Sequence, residues 1–249
     1  MERHERLLRA VEAERTCAIG ELAVRLGVSE ETVRRDVKEL ESQGKLHKLH
    51  GAVRLPDNAF ETPFDVRVGE QSTAKAAIAL AAAALIADNS SVFIDSGSTS
   101  LHVARALRGH RQLSVVTNAI DVAHELCSIN NNRVFLAGGE IDQDYRAAFG
   151  VEADIFLGRF TPDVAILSIG AIDPALGLMD FHLGEAAIKR SAARLARSVL
   201  LVADATKLGR RGLVQTCPCS VVTTFVTDAA VPPAFRACFT DAEIRIASA

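Results

Sequence analysis

Apolar and polar positions keep two different rhythms along this chain, and the change falls near residue 60. In the first stretch Leu7, Leu8 and Val11 recur at helical spacing between Glu2 and Glu14, and Ile19, Leu22, Ala23 and Leu26 form the apolar face of a second short helix. Gly27 stands where a left-handed cap ends that helix. Ser29 is placed to cap a third helix, with Glu30 and Glu31 in its first turn, where the dipole favours negative charge. Val33, Val37 and Leu40 fall at i, i+4 and i+7, giving this helix one narrow buried stripe before Gly44 stops it. Leu46, Leu49 and Gly51 then predict a small β-hairpin over 45–49 and 52–55. Pro56-Asp-Asn and Thr62-Pro63 mark a linker.

From Thr73 onward apolar strand patterns alternate with helical ones. Strands are predicted at 91–94, 113–116, 133–136, 164–169, 199–203 and 222–226, with helices at 73–87, 99–107, 119–127, 151–157 and 185–196. Such alternation predicts an α/β fold with a largely parallel sheet covered on both faces. The expected organisation is an N-terminal winged helix-turn-helix over 1–57, a linker over 58–72 and an α/β domain over 73–249.

Composition narrows the class. Of 249 residues, 49% are hydrophobic and 24% charged, an ordinary balance for a globular chain; the core must rest on aliphatics, since there are 11 Phe, one Tyr and no Trp. No apolar run is long enough to span a bilayer, and the charged start, Met1-Glu-Arg-His-Glu-Arg, has no signal-peptide core. The odd, scattered set Cys17, Cys127, Cys217, Cys219 and Cys238 suits a reducing cytoplasm, where we place the protein, with no membrane association. Cys217-Pro-Cys219 is the one close pair, and a structural zinc needs about four ligands, so no metal and no cofactor are expected.

Net charge is −3, which argues weakly against nucleic acid, but the charges are segregated. Arg34, Arg35, Lys38, Lys45, Lys48, Arg54, His47 and His50 crowd one stretch against only Asp36, Glu39 and Glu41, as phosphate contacts require. On the third helix Glu31, Arg35, Lys38 and Ser42 point away from the apolar stripe, with Thr32 and Arg34 on its flanks. A second helix with a polar outer face, following a glycine turn, is the arrangement that enters the major groove. We therefore expect Ser29, Glu31, Thr32, Arg34, Arg35 and Lys38, with Lys48 and His50 of the hairpin, to meet double-stranded operator DNA. Arg suits guanine, Thr a thymine methyl or phosphate, and Lys a phosphate. The competing reading, a merely solvated charged helix, is weakened by the Gly27 turn, the Ser29 cap and the basic hairpin acting together.

A second set of residues gathers at strand ends. Asp95-Ser96-Gly97-Ser98-Thr99 follows a strand and opens a helix; two hydroxyls, a glycine and free helix-start N–H groups suit an anion, although small residues also serve plain turns. Asn118, Gly138, Gly139, Glu140, Asp173, Asp204 and Lys207 stand at other strand ends, where open parallel sheets bind ligands. Glu185 and Lys189 lie one helical turn apart and either project to the same cleft or pair on the surface, the latter slightly favoured.

The run from Ile19 to Leu46, with Val28-Ser29, Thr32-Val-Arg34-Arg35-Asp36, Leu40-Glu41 and Gly44-Lys-Leu46 in order, resembles the DNA-binding region of the DeoR family of sugar-metabolism repressors. His50-Gly51-Ala52 is similar to that family's wing with one glycine missing. Asp95-Ser-Gly-Ser-Thr99, Val116-Thr-Asn118, Ala137-Gly-Gly139, Glu185-Ala-Ala-Ile-Lys189 and Ala203-Asp-Ala-Thr-Lys207-Leu-Gly209 are similar, in order, to its C-terminal domain. Leu178-Met-Asp180-Phe-His182 and Lys207-Leu-Gly-Arg210 look nearest to the glycerol-3-phosphate repressors within it. The usual Glu-Lys pair before the first long helix reads Ala74-Lys75 here, a departure expected to be of structural consequence only.

The resemblance implies a sensor related to the ribose-5-phosphate isomerase-like fold, a phosphorylated sugar or polyol effector, and a homodimer or homotetramer, since paired heads read paired half-sites. The alternative is a sugar-phosphate isomerase carrying an accessory DNA-binding head, with Asp173 or Glu185 as base. The isomerases' glycine-rich lysine loop is absent, the chain reading Leu176-Gly-Leu-Met instead, so no catalytic residue and no turnover are expected.

Overall fold

The computed structural model describes residues 2–14, 16–43, 45–48, 51–54 and 62–247. The chain divides into two compact units, Met1–Val66 and Arg67–Ala249.

The first unit runs α1 (Glu2–Glu14), β1 (Thr16–Ala18), α2 (Ile19–Leu26), α3 (Glu30–Ser42), β2 (His47–Lys48) and β3 (Ala52–Arg54). Leu7, Val11, Ile19, Leu22, Val33, Val37, Leu40, Leu46 and Val53 bury into one core, so the predicted α3 stripe faces inward. Gly27 ends α2 in the left-handed region at φ 68°, its N–H reaching back to Ala23 and Val24. Ser29 caps α3 by accepting from the Thr32 N–H at 3.3 Å. The strand β1 was not expected: three residues are too few to show a period, yet they pair antiparallel with β3 and turn the hairpin into a three-stranded sheet. Gly44, Leu49, His50, Leu55 and Pro56, singled out from sequence, lie outside the described residues.

The second unit begins within α4 (Phe64–Gly69) and continues α5 (Ser72–Ala83), β4 (Ser91–Ile94), α6 (Ser98–Ala106), β5 (Ser114–Thr117), α7 (Ile120–Leu126), β6 (Arg133–Leu136), β7 (Ile141–Asp142), β8 (Ala147–Ala148) and α8 (Val151–Leu157). After these come β9 (Val164–Leu167), β10 (Ala171–Asp173), β11 (Gly177–Asp180), α9 (Leu183–Leu195), β12 (Ser198–Val202), β13 (Val214–Cys217), β14 (Thr224–Thr227), α10 (Pro233–Arg236) and β15 (Glu243–Ile246). Seven strands form one parallel sheet in the order β15-β14-β12-β9-β4-β5-β6. Alternation places Val92, Ile94 and Val115 in a core with α5, α6 and α7, and Phe93, Val116 and Leu167 in a second core with α8 and α9.

Two departures from the predicted pattern shape the site. The strand expected over 164–169 stops at Leu167, because the Ser168 N–H leaves the ladder for the Asp95 carboxylate at 2.9 Å. Beyond it β10, β11 and β13 form a separate antiparallel sheet, which carries Asp180 to α9. The helix expected over 73–87 closes at Ala83, where Leu85 and Ile86 make tight bonds to Ala82 and Ala83. No helix among the described residues is long and apolar enough to cross a membrane.

Candidate functional site

On α3 the outward face is charged and wet. Glu31, Arg34, Arg35 and Lys38 are exposed, and Thr32 is half-buried with its hydroxyl 2.9 Å from that of Ser29. Arg34 is drawn along the helix to Glu30 at 2.6 Å and Glu31 at 3.6 Å, whereas Arg35 and Lys38 project further round. Lys48 is exposed at the end of β2, its backbone N–H held by Glu41 at 3.0 Å. His50 lies outside the described residues.

What orients this face is a contact that periodicity does not reveal. Asp36 is buried and takes a two-pronged bond from Arg3 at 2.6 and 2.7 Å, with His4 at 3.4 Å, tying α1 to α3. The Arg3 bond holds the Asp36 carboxyl below its ordinary range despite burial. A polar residue on the inner side of an otherwise apolar stripe was the available signal.

In the sensor unit the Asp95-Ser-Gly-Ser-Thr99 turn leads from β4 into α6. Asp95, Ser96, Ser98 and Thr99 are all buried. The Asp95 carboxylate faces inward, accepting from the Gly97 N–H at 3.2 Å, the Ser168 N–H at 2.9 Å and the Ser168 hydroxyl at 3.0 Å. It fixes the shape of the turn. Ser98 lies at the other side, 3.1 Å from Lys75 Nζ, and Ser100, fully buried a half-turn on, has a hydroxyl without a hydrogen-bond partner among the described residues.

Lys75 is the residue that sequence reasoning undervalued. Of the Ala74-Lys75 pair, the lysine is the one charge of α5 and lies on its inward face, 2% exposed. Burial and the neighbouring Lys207 bring its ammonium down to about 8, while Asp204 and Glu70 oppose and Arg67 adds to the lowering. Lys207 and Arg67 thus lie near enough to bear on the Lys75 charge, as do the carboxylates of Asp204 and Glu70, and Lys75 itself meets the helix-start hydroxyl of Ser98. A lone lysine in an alanine-rich helix, in phase with Ile78, Ala79 and Ala82, is a signal readable from sequence. Asp204 itself is buried and accepts from the Thr206 N–H at 3.1 Å.

Asn118, at the end of β5, is completely buried; its Nδ2 donates to Ala148 O at 3.0 Å, and its Oδ1 lacks a partner among the described residues. Gly138, Gly139 and Glu140 are exposed beyond β6, and Asp173 closes the β10–β11 turn by accepting from the Ala175 and Leu176 N–H groups at 2.8 and 2.9 Å.

Glu185 and Lys189 correct the surface-pair reading. Both are buried, 2% and 1% exposed, and Lys189 pairs with Asp180 at the end of the antiparallel β11, an element the strand–helix alternation does not predict. Lys189 Nζ meets Asp180 and Glu185 at 2.8 Å each and Asp95 at 3.5 Å. Burial pulls this ammonium down, but the three carboxylates outweigh it and hold it well above its ordinary value. Asp180 in turn accepts from Gly170 N–H at 3.0 Å and Thr216 at 2.7 Å; burial raises it to about 6 against the pull of Lys189. The cluster braces the Asp95 turn from behind.

The DeoR-like helix-turn-helix domain matches residues 3–59, and the DeoR C terminal sensor domain matches residues 70–229. The chain is 36% identical to the HTH-type transcriptional repressor CsqR of Escherichia coli over 98% of this chain and 94% of that protein. It is 34% identical to the glycerol-3-phosphate regulon repressor of the same organism over 98% and 97%. Ribose 5-phosphate isomerase A from Neisseria gonorrhoeae overlaps 55% of this chain and 53% of its own at 18% identity, with a TM-score of 0.41.

Proposed function

The chain belongs to the DeoR family of transcriptional repressors, and we propose that it silences carbohydrate or polyol catabolism genes until a phosphorylated sugar or polyol binds beside Lys75, Ser98 and Lys207. It is a regulator and not an enzyme. The observation that carries the effector reading is the meeting of Lys75 with the Ser98 hydroxyl at the start of α6, in the field of Lys207 and Arg67. Ammonium groups, a hydroxyl and free helix-start N–H groups are what a phosphate dianion takes in exchange for water. Glycerol 3-phosphate is the first compound to try, because a repressor of that regulon is among the relatives. Two copies are required for paired half-sites, so a homo-oligomer is part of the proposal.

A thermal-shift screen of sugar and polyol phosphates, followed by DNA binding at fixed salt with each hit, tests this reading. Lys207→Ala is expected to retain operator binding and lose the shift; a full shift in that variant places the phosphate elsewhere. Effector affinity is expected to level off between the phosphate's second ionisation, roughly pH 6, and the Lys75 value of about 8. Above pH 8 it falls as the ammonium loses its proton, by up to about tenfold per unit for one linked proton. An affinity flat to pH 9.5 removes Lys75 from the site.

At the DNA, Arg35→Ala is expected to cost about 1–3 kcal/mol of specific binding through a lost base contact. Lys38→Ala should instead weaken all sequences alike and lower the salt slope by about one. Equal losses on operator and random DNA for Arg35→Ala would make it a phosphate contact.

A further inference from the structure

At the start of α9 an imidazole and a carboxylate stand side by side without bonding to one another. His182 caps α9, its Nδ1 accepting from the Glu185 N–H at 3.3 Å. A ring nitrogen that accepts carries no proton, so the N–H of this imidazole lies on Nε2. That nitrogen faces Asp142 Oδ2 at 3.9 Å, too far for a hydrogen bond. Asp142 uses its other oxygen, Oδ1, to accept from the Asp144 and Tyr145 N–H groups at 2.9 and 3.2 Å, which shapes the turn between β7 and β8. The two side chains are 36% and 33% exposed, so a solute can reach both. Neighbouring rings hold the imidazole in place, Tyr145 at 4.9 Å and Phe149 at 4.8 Å between centroids. Gly184 lets the start of α9 close on them, since a Cβ there would fall 2.9 Å from Phe149 Cβ and 3.0 Å from His182 Cε1.

Three connections tie this pair to the candidate phosphate position. The Arg67 carbonyl accepts from Lys75 Nζ, while the Arg67 guanidinium lies over the Tyr145 ring at 5.3 Å. Asp180, two residues before His182, shares Lys189 with Asp95, which opens the turn carrying Ser98. Ala148, next to Phe149, is pinned to Asn118 at the end of β5: its N–H reaches Asn118 O at 2.9 Å, and its O accepts from Asn118 Nδ2 at 3.0 Å. The pair therefore borders the strand ends that supply Ser98 and Asn118, where open parallel sheets take their ligands. Its chemistry differs from that of Lys75 and Ser98. The carboxylate oxygen can only accept and Nε2–H can only donate, whereas an alcohol hydroxyl does both. One hydroxyl oxygen at about 2.8 Å from each atom spans them, accepting from His182 and donating to Asp142. The adjoining Tyr145 and Phe149 rings suit the carbon skeleton of such a ligand. Resting on the effector reading above, we propose that Asp142 and His182 bind a hydroxyl of the phosphorylated effector, remote from its phosphate. They thereby select sugar and polyol phosphates over phosphates whose carbons carry no hydroxyl.

Direct binding to the full chain tests this, with glycerol 3-phosphate, ribose 5-phosphate and any other hit of the thermal-shift screen, each measured against n-propyl phosphate. The parent is expected to favour the best hydroxylated probe over n-propyl phosphate by about ten- to a hundredfold, the worth of a hydrogen bond to a charged group. Asp142→Asn keeps an oxygen for the Asp144 and Tyr145 N–H groups but sets an amide donor against Nε2–H. His182→Asn can still cap α9 and loses the Nε2 donor. Each variant is expected to cut the preference by about tenfold and to leave the affinity for n-propyl phosphate unaltered. Equal losses for every probe would make the pair a structural tie between β7 and α9 and overturn the proposal. A preference that survives both substitutions overturns it too, as does a parent that binds n-propyl phosphate as tightly as the hydroxylated probes; the phosphate position then still stands. If neither these probes nor any compound of the screen binds, the effector reading falls and the hydroxyl subsite with it.

Discussion

Lys189→Met is expected to destabilise the sensor unit by about 3–5 kcal/mol, the cost of stranding buried carboxylates whose shared cation is gone. Asp180, Glu185 and Asp95 surround that ammonium, and each is at most 2% exposed. Water cannot replace the lysine, so the carboxylates must bind protons or separate. The sign of the pH dependence follows from Asp180, whose folded value of about 6 already stands above its ordinary 3.8. A raised acid contributes stability that is complete below its unfolded value and is lost as pH rises through the folded one. Without Lys189 that value climbs further, so the deficit of the variant should be largest at pH 8 and shrink towards pH 5. Adding Asp180→Asn to Lys189→Met should recover part of the loss, since the amide still serves Gly170 and Thr216 while Glu185 and Asp95 keep their charge. Denaturant unfolding at several pH values measures all of this; a single variant as stable as the parent at pH 8 would sink the bracing role.

Gly97→Ala is the second large effect. An added Cβ would fall 1.7 Å from the Ser168 hydroxyl and 2.8 Å from its Cβ. The backbone there, at φ −78°, tolerates any residue, so the conflict is one of space alone. Ser168 cannot retreat, because its hydroxyl and N–H both bind Asp95. Overpacking of this kind costs about 1–3 kcal/mol and occasionally more. It should also displace Ser98, one residue on, and so weaken effector binding beyond what the stability loss explains. Exchanging the volume, as Gly97→Ala with Ser168→Gly, should recover part of both. A Gly97→Ala protein with unaltered thermal midpoint and effector affinity would mean that the turn yields freely.

How far the chain could be read in advance differs between its halves. In the first unit Val33, Val37 and Leu40 bury as their spacing requires, and the Gly27 and Ser29 caps stand where their chemistry places them. Local rules suffice for these features because a cap and a buried stripe are decided by residues within a turn or two of one another. The parallel strands were equally legible, being apolar runs on both faces. What escaped were features decided by distant partners. Asp36 is explained by Arg3, 33 residues away, and Asp180 by Thr216 and Lys189 on elements of different type. Lys75 is obscured for another reason: an alanine-rich stretch suggests packing alone, and only the phase of its single charge with Ile78, Ala79 and Ala82 points inward. Glu185 and Lys189 show the same limit, since one helical turn of spacing fits a solvated pair and a buried one alike.

The pairing of β4 with β9 sets an order of events during synthesis. Ser91 and Asp163, bonded to one another at the foot of these central strands, are 72 residues apart, and no shorter pairing can stand in for theirs. The sensor sheet therefore cannot close until two thirds of the chain has been made, whereas the core of the first unit, among the described residues, is supplied once Val53 has been added. At about 5–20 residues per second, several seconds separate the two moments. For that interval a finished DNA-binding head trails an unfinished sensor with the β4 edge bare, so slow translation or a missing chaperone should harm the sensor first.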